Sequence, residues 1–151
     1  MHKCAVFLDR DGTINLDKGY VHRIEDWEWI PWAINAIVAL KKAGYLVVII
    51  TNQAGIARVL YGETDMIALH ILVNEQLKLY GVEIDGFFHC PHHPEFFEIR
   101  ECECRKPKPG MIIDASKEFN LSGFNSPPLV VKYVKLFLKP DTPLLAAGSL
   151  H

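Results

Sequence analysis

The chain has 151 residues, half of them hydrophobic and 23% charged, with 16 Lys+Arg against 18 Asp+Glu for a formal net charge of −2. That length suits one domain, or one domain with a tail. The composition excludes a disordered or fibrous chain, and the balanced charge removes the electrostatic footprint of a nucleic-acid or acidic-membrane binder.

Residues 3–8 are apolar, end in Asp9-Arg10-Asp11-Gly12, and read as a buried strand running into a turn, with Cys4 as a core residue. Pro31 opens a helix predicted over 31–43, with Gly44 as its stop. A second buried strand over 45–50 ends at Thr51-Asn52-Gln53. Met66, Leu69, Val73, Leu77 and Tyr80 recur at three- and four-residue steps, which predicts a helix over 63–80 ended by Gly81. A third strand follows over 86–89, then a polar, Pro-rich loop over 90–109 and a helix over 111–119.

This alternation predicts an α/β Rossmannoid fold, a parallel sheet flanked by crossover helices, with its chemistry at the carboxyl ends of the strands. The 37 residues between Thr13 and Thr51 accommodate one helix and two loops. They leave no room for a large cap domain, so loops shape the pocket and a small substrate is favoured. No run approaches the ~20 apolar residues of a membrane helix, and residues 4–8 are too short for the apolar core of a signal peptide. The expectation is a cytoplasmic monomer that engages neither nucleic acid nor membrane, in which four cysteines serve as metal ligands or free thiols.

Asp9 and Asp11 lie two apart at the end of a strand, where a period of two predicts both carboxylates on one side and Arg10 on the other. Gly12 is read as leaving space for a ligand's oxygens to approach backbone N–H groups. Two carboxylates on one side repel unless a cation lies between them or one carries a proton. Both remedies suit phosphoryl transfer, in which one carboxylate attacks phosphorus while the other protonates the leaving alcohol and then activates water. A Mg²⁺ ion beside the nucleophile would offset the phosphate charge.

Cys90-Pro91-His92-His93 and Cys102-Glu103-Cys104 place a Cys-x-His pair and a Cys-x-Cys pair on one loop. Cys90, His92, Cys102 and Cys104 make a Cys₃His set suited to structural Zn²⁺, with His93 the alternative to His92. The loop ends next to Arg105 and Lys106, so a zinc clip there would stiffen the segment that carries two cations.

The string Phe7-Leu8-Asp9-Arg10-Asp11-Gly12-Thr13 resembles the first motif of the haloacid-dehalogenase-like (HAD) phosphatases. By that resemblance Asp9 is the nucleophile and Asp11 the general acid/base. Thr51, ending the second strand, matches the hydroxyl of the second motif, and Lys106 the phosphate-neutralising lysine of the third. Together with Gly19-Tyr20-Val21-His22, Thr51-Asn52-Gln53-Ala54-Gly55-Ile56-Ala57-Arg58, Cys90-Pro91-His92-His93-Pro94 and the run from Cys102 to Met111, the chain resembles the heptose 1,7-bisphosphate 7-phosphatases. These form a Mg²⁺-dependent, zinc-clipped branch of that superfamily, acting in heptose nucleotide synthesis for lipopolysaccharide cores. The histidinol-phosphate phosphatases are the neighbouring alternative.

The resemblance covers residues 4–121 and prefers His92 as the zinc ligand. It implies that Asp9 and Asp11 bind Mg²⁺, that Gly19, Tyr20, Val21, His22, Thr51, Asn52, Gln53 and Ala54 contact a sugar phosphate, that Arg105 recognises it and that Lys106 stabilises the phosphoryl group. The family continues with a fourth strand ending in Gly-Asp-Lys, whose Asp is a Mg²⁺ ligand. No Gly-Asp follows Lys106 here; beyond Glu118 the acid is Asp141. Residues 1–121 therefore read as a phosphatase domain with an incomplete core, and 122–151 as a divergent tail of the kind a shifted reading frame produces.

Overall fold

The structure, a computed structural model, describes residues 4–96 and 101–121. Three strands, β1 (Ala5–Leu8), β2 (Leu46–Asn52) and β3 (Gly86–Cys90), form a parallel sheet in the order β1-β2-β3. Ala5 pairs with Leu46 and Leu8 with Ile49; Val48 pairs with Gly86 and Asn52 with Cys90. β2 is therefore the central strand of the described sheet. Val47, Val48, Ile49 and Ile50 are all buried, as a strand covered on both faces requires.

Four helices complete the described fold: α1 (Ala33–Lys42), α2 (Ala54–Ala57), α3 (Glu63–Lys78) and α4 (Gly110–Glu118), with a 3-10 turn at Ile24–Asp26. α1 and α3 cover one face, where Ile37, Leu69, Val73 and Leu77 pack with Leu8, Val47 and Ile49. α4 covers the other, where Met111 and Ala115 pack with Phe7, Val48 and Ile50. Alternate residues of β2 thus feed opposite cores. The predicted stops hold: Gly44 (φ 89°) follows α1 and Gly81 (φ 76°) follows α3.

Several expectations need correction. Helix α1 begins at Ala33, because Trp32 stands in the left-handed region at φ 72° and Pro31 lies outside the helix. β2 runs on to Asn52, since β3 pairs with it through Thr51 and Asn52. α2 was not anticipated, because four residues carry no helical period. Cys4 is exposed and precedes β1; its carbonyl accepts a bond from the Leu46 N–H at 2.9 Å. The reading of 122–151 as a divergent tail lies outside the described residues.

Candidate active site and metal centre

The strand ends place the predicted residues together. Asp9 follows β1, Thr51 and Asn52 close β2, and Cys90 closes β3. Asp9, Asp11, Gly19, Tyr20, Thr51, Asn52, Gln53, Ala54, Arg105 and Lys106 line one cavity of about 440 Å³, joined by Asp17 and Tyr61. Val21 and His22 do not line it. The Val21 side chain belongs to the core, and His22 stacks on Tyr61 with ring centroids 4.6 Å apart.

Lys106 is set by its backbone. Its N–H donates to Asn52 Oδ1 at 3.0 Å, and Asn52 Nδ2 donates back to its carbonyl at 3.3 Å. The side chain then reaches Asp9 Oδ1 at 2.8 Å and the Ile50 carbonyl at 3.1 Å. Asp9 Oδ1 also accepts the Arg10 N–H at 2.8 Å. Both bonds fall on Oδ1.

Arg10 departs from the period-two expectation. β1 ends at Leu8, and residues 10–15 form a turn in which the Arg10 carbonyl accepts from Thr13 and Ile14 at 3.1 and 3.0 Å. The Arg10 side chain is fully buried and bends back onto Asp11: Nε donates to Oδ2 at 3.1 Å and Nη2 to Oδ1 at 3.0 Å. Asn15 Nδ2 donates to Asp11 Oδ1 at 3.0 Å and Gln53 Nε2 to Oδ2 at 3.2 Å. The space beside Gly12 is open, its own N–H is taken by the Asn15 carbonyl at 2.8 Å, and its φ of +82° requires glycine.

Gln53 joins this group to the pocket wall. Its Nε2 donates to Thr51 Oγ1 at 2.7 Å and its Oε1 accepts from the Tyr61 hydroxyl. Burial pushes the Tyr61 hydroxyl up to about 12, against the pull of Arg10, so it stays a donor. His70, on α3, lies against the Arg10 guanidinium at 3.2 Å and stacks on Phe87 with centroids 4.2 Å apart. Burial, reinforced by the Arg10 charge, holds its imidazole down at about 3, so it is neutral at pH 7. Sequence reasoning passed over Arg10, Asp17, Tyr61 and His70 as site residues. For Arg10 a signal existed, since a cation between two motif acids invites a local ion pair.

Beside this cavity, Cys90, His92, Cys102 and Cys104 bring three sulfurs and one imidazole nitrogen within 4.8 Å of one another. Cys90 Sγ lies 3.6 Å from both His92 Nδ1 and Cys102 Sγ, and His92 Nδ1 lies 3.3 Å from Cys104 Sγ. Burial raises the Cys90 and Cys104 thiols. It also opposes ionisation of Cys102, but donors led by the Arg105 N–H outweigh it and hold that thiol down at about 6. Three sulfurs and an imidazole nitrogen this close make a soft donor set that could hold a metal ion, which would draw the thiols into their ionised form. The cluster is wired to the cavity: Arg105 Nη1 donates to the His92 carbonyl at 3.1 Å. The Gly110 N–H donates to the Glu103 carbonyl at 2.9 Å, an approach so close that a Cβ on Gly110 would lie 2.2 Å from that oxygen.

The arrangement has relatives. The family model "polynucleotide kinase 3 phosphatase" matches residues 3–134. A Photorhabdus laumondii D-glycero-β-D-manno-heptose-1,7-bisphosphate 7-phosphatase is 48% identical over 120 residues, covering 78% of this chain and 64% of that one. The chain belongs to the HAD-like heptose-bisphosphate phosphatase family. Its Vibrio cholerae relative of the same name is 46% identical over 129 residues, covering 83% and 69% of the two chains. A D,D-heptose 1,7-bisphosphate phosphatase from B. bronchiseptica, solved with magnesium and phosphate, superposes with a TM-score of 0.71 at 35% identity, covering 78% of this chain and 64% of that one. A HAD-like phosphatase from Mesorhizobium loti gives 0.74 at 37%, covering 80% and 59%. The match thus spans less than two thirds of the Photorhabdus relative. Among the described residues, no helix is long and apolar enough to cross a membrane.

Proposed function

We propose that this family member hydrolyses the 7-phosphate of D-glycero-D-manno-heptose 1,7-bisphosphate through an aspartyl-phosphate, within heptose nucleotide synthesis. The observation that carries the reading is the Asp9–Lys106 pair at 2.8 Å, at a strand end and in a cavity also lined by Asp11 and Thr51. Asp9 Oδ2 attacks phosphorus. The ester P–O bond breaks with its electron pair on the sugar oxygen, which takes a proton from Asp11. Water, deprotonated by Asp11, then attacks the acyl phosphate, releasing inorganic phosphate and restoring Asp9. Lys106 and the Thr51 hydroxyl neutralise and bind the phosphoryl oxygens, and Arg105 supplies a second cation at the pocket wall.

Asp9 is partly open to the cavity, with 36% of its side chain exposed, and offers the hard oxygen that Mg²⁺ prefers. The Asp9 carboxylate and the Asp11 backbone carbonyl would hold that ion. When bound, it offsets negative charge on the phosphoryl group. The Cys₃His set suits Zn²⁺ in a structural role.

A second reading, a catalytically weakened chain that keeps the zinc clip, is favoured by the lack of a Gly-Asp after Lys106. The test is Mg²⁺-titrated hydrolysis of heptose 1,7-bisphosphate beside a version carrying a Gly-Asp-Lys strand. Turnover abolished by Asp9→Asn supports the phosphatase reading. A rate rising at least tenfold in the restored version supports the weakened one, and turnover that survives Asp9→Asn overturns the mechanism.

A further inference from the structure

Arg10 touches three parts of the molecule at once. Besides its two bonds to Asp11, its Nη2 donates to the Val21 carbonyl at 2.6 Å, and its Nη1 faces His70 Nε2 at 3.2 Å. Four of the five N–H donors of a guanidinium are thus directed at fixed acceptors. Arg10 is fully buried and His70 is 6% exposed, so water does not compete for the bonds to His70 and the Val21 carbonyl. A guanidinium has no acceptor, so His70 Nε2 must be the bare nitrogen and Nδ1 carries the proton. His70 itself is braced, stacked on Phe87 of β3 and carried by α3.

We propose that Arg10, seated on neutral His70, is a positioning residue that holds the Asp11 carboxylate and the Gly19–His22 segment in one register around the phosphate. The inference rests on the phosphatase reading for its consequence and on geometry for its substance. Asp11 must deliver a proton to one oxygen and take one from a water; protonation displaces one N–H donor, for which the 3.2 Å bond from Gln53 Nε2 to Oδ2 is the longest of the four, and a free χ1 rotation would then carry its oxygens far from both. The bidentate fork removes that rotation from below. The same guanidinium anchors Val21, whose neighbours Gly19 and Tyr20 line the cavity. Tyr20 stands at φ 50°, and the Arg58 Nη1 bond to its hydroxyl at 2.6 Å holds the same segment from the outside. Arg10 is thus the inner of two anchors.

The experiment compares the full chain with Arg10→Lys, His70→Leu and His70→Gln, with Asp9→Asn as the reference for lost chemistry. Arg10→Lys keeps the charge and loses the fork. Its kcat should fall about 10²-fold from the misplaced Asp11, by more than KM rises as the Gly19–Tyr20 wall loses its inner anchor. His70→Leu, which removes the acceptor beneath Arg10, should lower kcat about tenfold, and His70→Gln, whose Oε1 can accept the same bond, should recover most of that. The readout independent of turnover is the ¹³C carboxyl resonance of Asp11, assigned by its loss in Asp11→Asn. It should move in His70→Leu and return in His70→Gln. An Asp11 signal unmoved in His70→Leu overturns the proposal whatever the rates do. If the signal moves in a chain that shows no turnover, the phosphatase reading falls and the Arg10 linkage stands.

Discussion

The Lys106 ammonium rests 2.8 Å from Asp9 Oδ1, although 97 positions separate the two residues in the chain. The contact is made by the ends of two different elements: Asp9 leaves β1, while the Lys106 backbone is held by the Asn52 side chain at the end of β2. On the proposed mechanism Asp9 approaches a negatively charged phosphate, which needs a cation at that distance, and Lys106 already stands there in the free chain.

Removing either partner should therefore act on chemistry. Asp9→Asn keeps the shape and loses the nucleophile, so heptose bisphosphate hydrolysis should fall below detection. Lys106→Met should lower kcat/KM by about 10²–10³-fold, as expected for loss of one preorganised charge. Steady-state kinetics, with intact-mass detection of a phosphorylated chain in acid-quenched wild type, checks both.

The Cys/His cluster should hold about one Zn²⁺ per chain, bound through three sulfurs and one nitrogen. Stripping it should lower the thermal midpoint, because the binding free energy contributes to folding. It should also lower the phosphatase rate, since the Arg105 bond to the His92 carbonyl at 3.1 Å ties the loop to the cavity. Native mass spectrometry and a melt before and after chelation measure this, and Cys102→Ser should reproduce the stripped state.

His70 links stability to acid. Its folded-state value near 3 lies below the ordinary histidine value of 6.5, so below pH 6.5 the unfolded chain takes up a proton that the folded chain refuses. The His70 contribution is complete above pH 6.5 and lost progressively as pH falls toward 3. The slope is at most about 1.4 kcal/mol per pH unit. Denaturant unfolding of wild type and His70→Gln should diverge over that window, with the wild type losing stability more steeply.

Val59 is a β-branched residue at φ 57°, 88% exposed, just beyond α2. Left-handed backbone costs a non-glycine residue about 1–2 kcal/mol, and an exposed side chain recovers little of it. Val59→Gly should stabilise the chain by about 1 kcal/mol, raising the melting midpoint by about 2–4 °C. A calorimetric melt decides it.

The three strands, the stops at Gly44 and Gly81, and the residues Asp9, Thr51, Lys106, Cys90, His92, Cys102 and Cys104 were all readable from the chain. Each lies in a contiguous motif or at the end of an apolar run, where local periodicity and residue chemistry carry the information. The grip of Arg10 on Asp11, the Tyr61–Gln53–Thr51 chain and the seat of Arg10 on His70 were not. Period-two geometry placed Arg10 away from Asp11, and it failed because the strand ends at Leu8 and the following turn frees the side chain to bend back. His70 lies 60 residues from Arg10, buried on α3, and the apolar stripe read from the sequence, Met66, Leu69, Val73, Leu77 and Tyr80, does not include it. Whether such a residue meets a guanidinium or a leucine depends on the depth and rotation at which α3 settles on β1 and β2. That is fixed by the packing of Leu69, Val73 and Leu77 against Leu8, Val47 and Ile49, contacts between distant segments that no local pattern encodes.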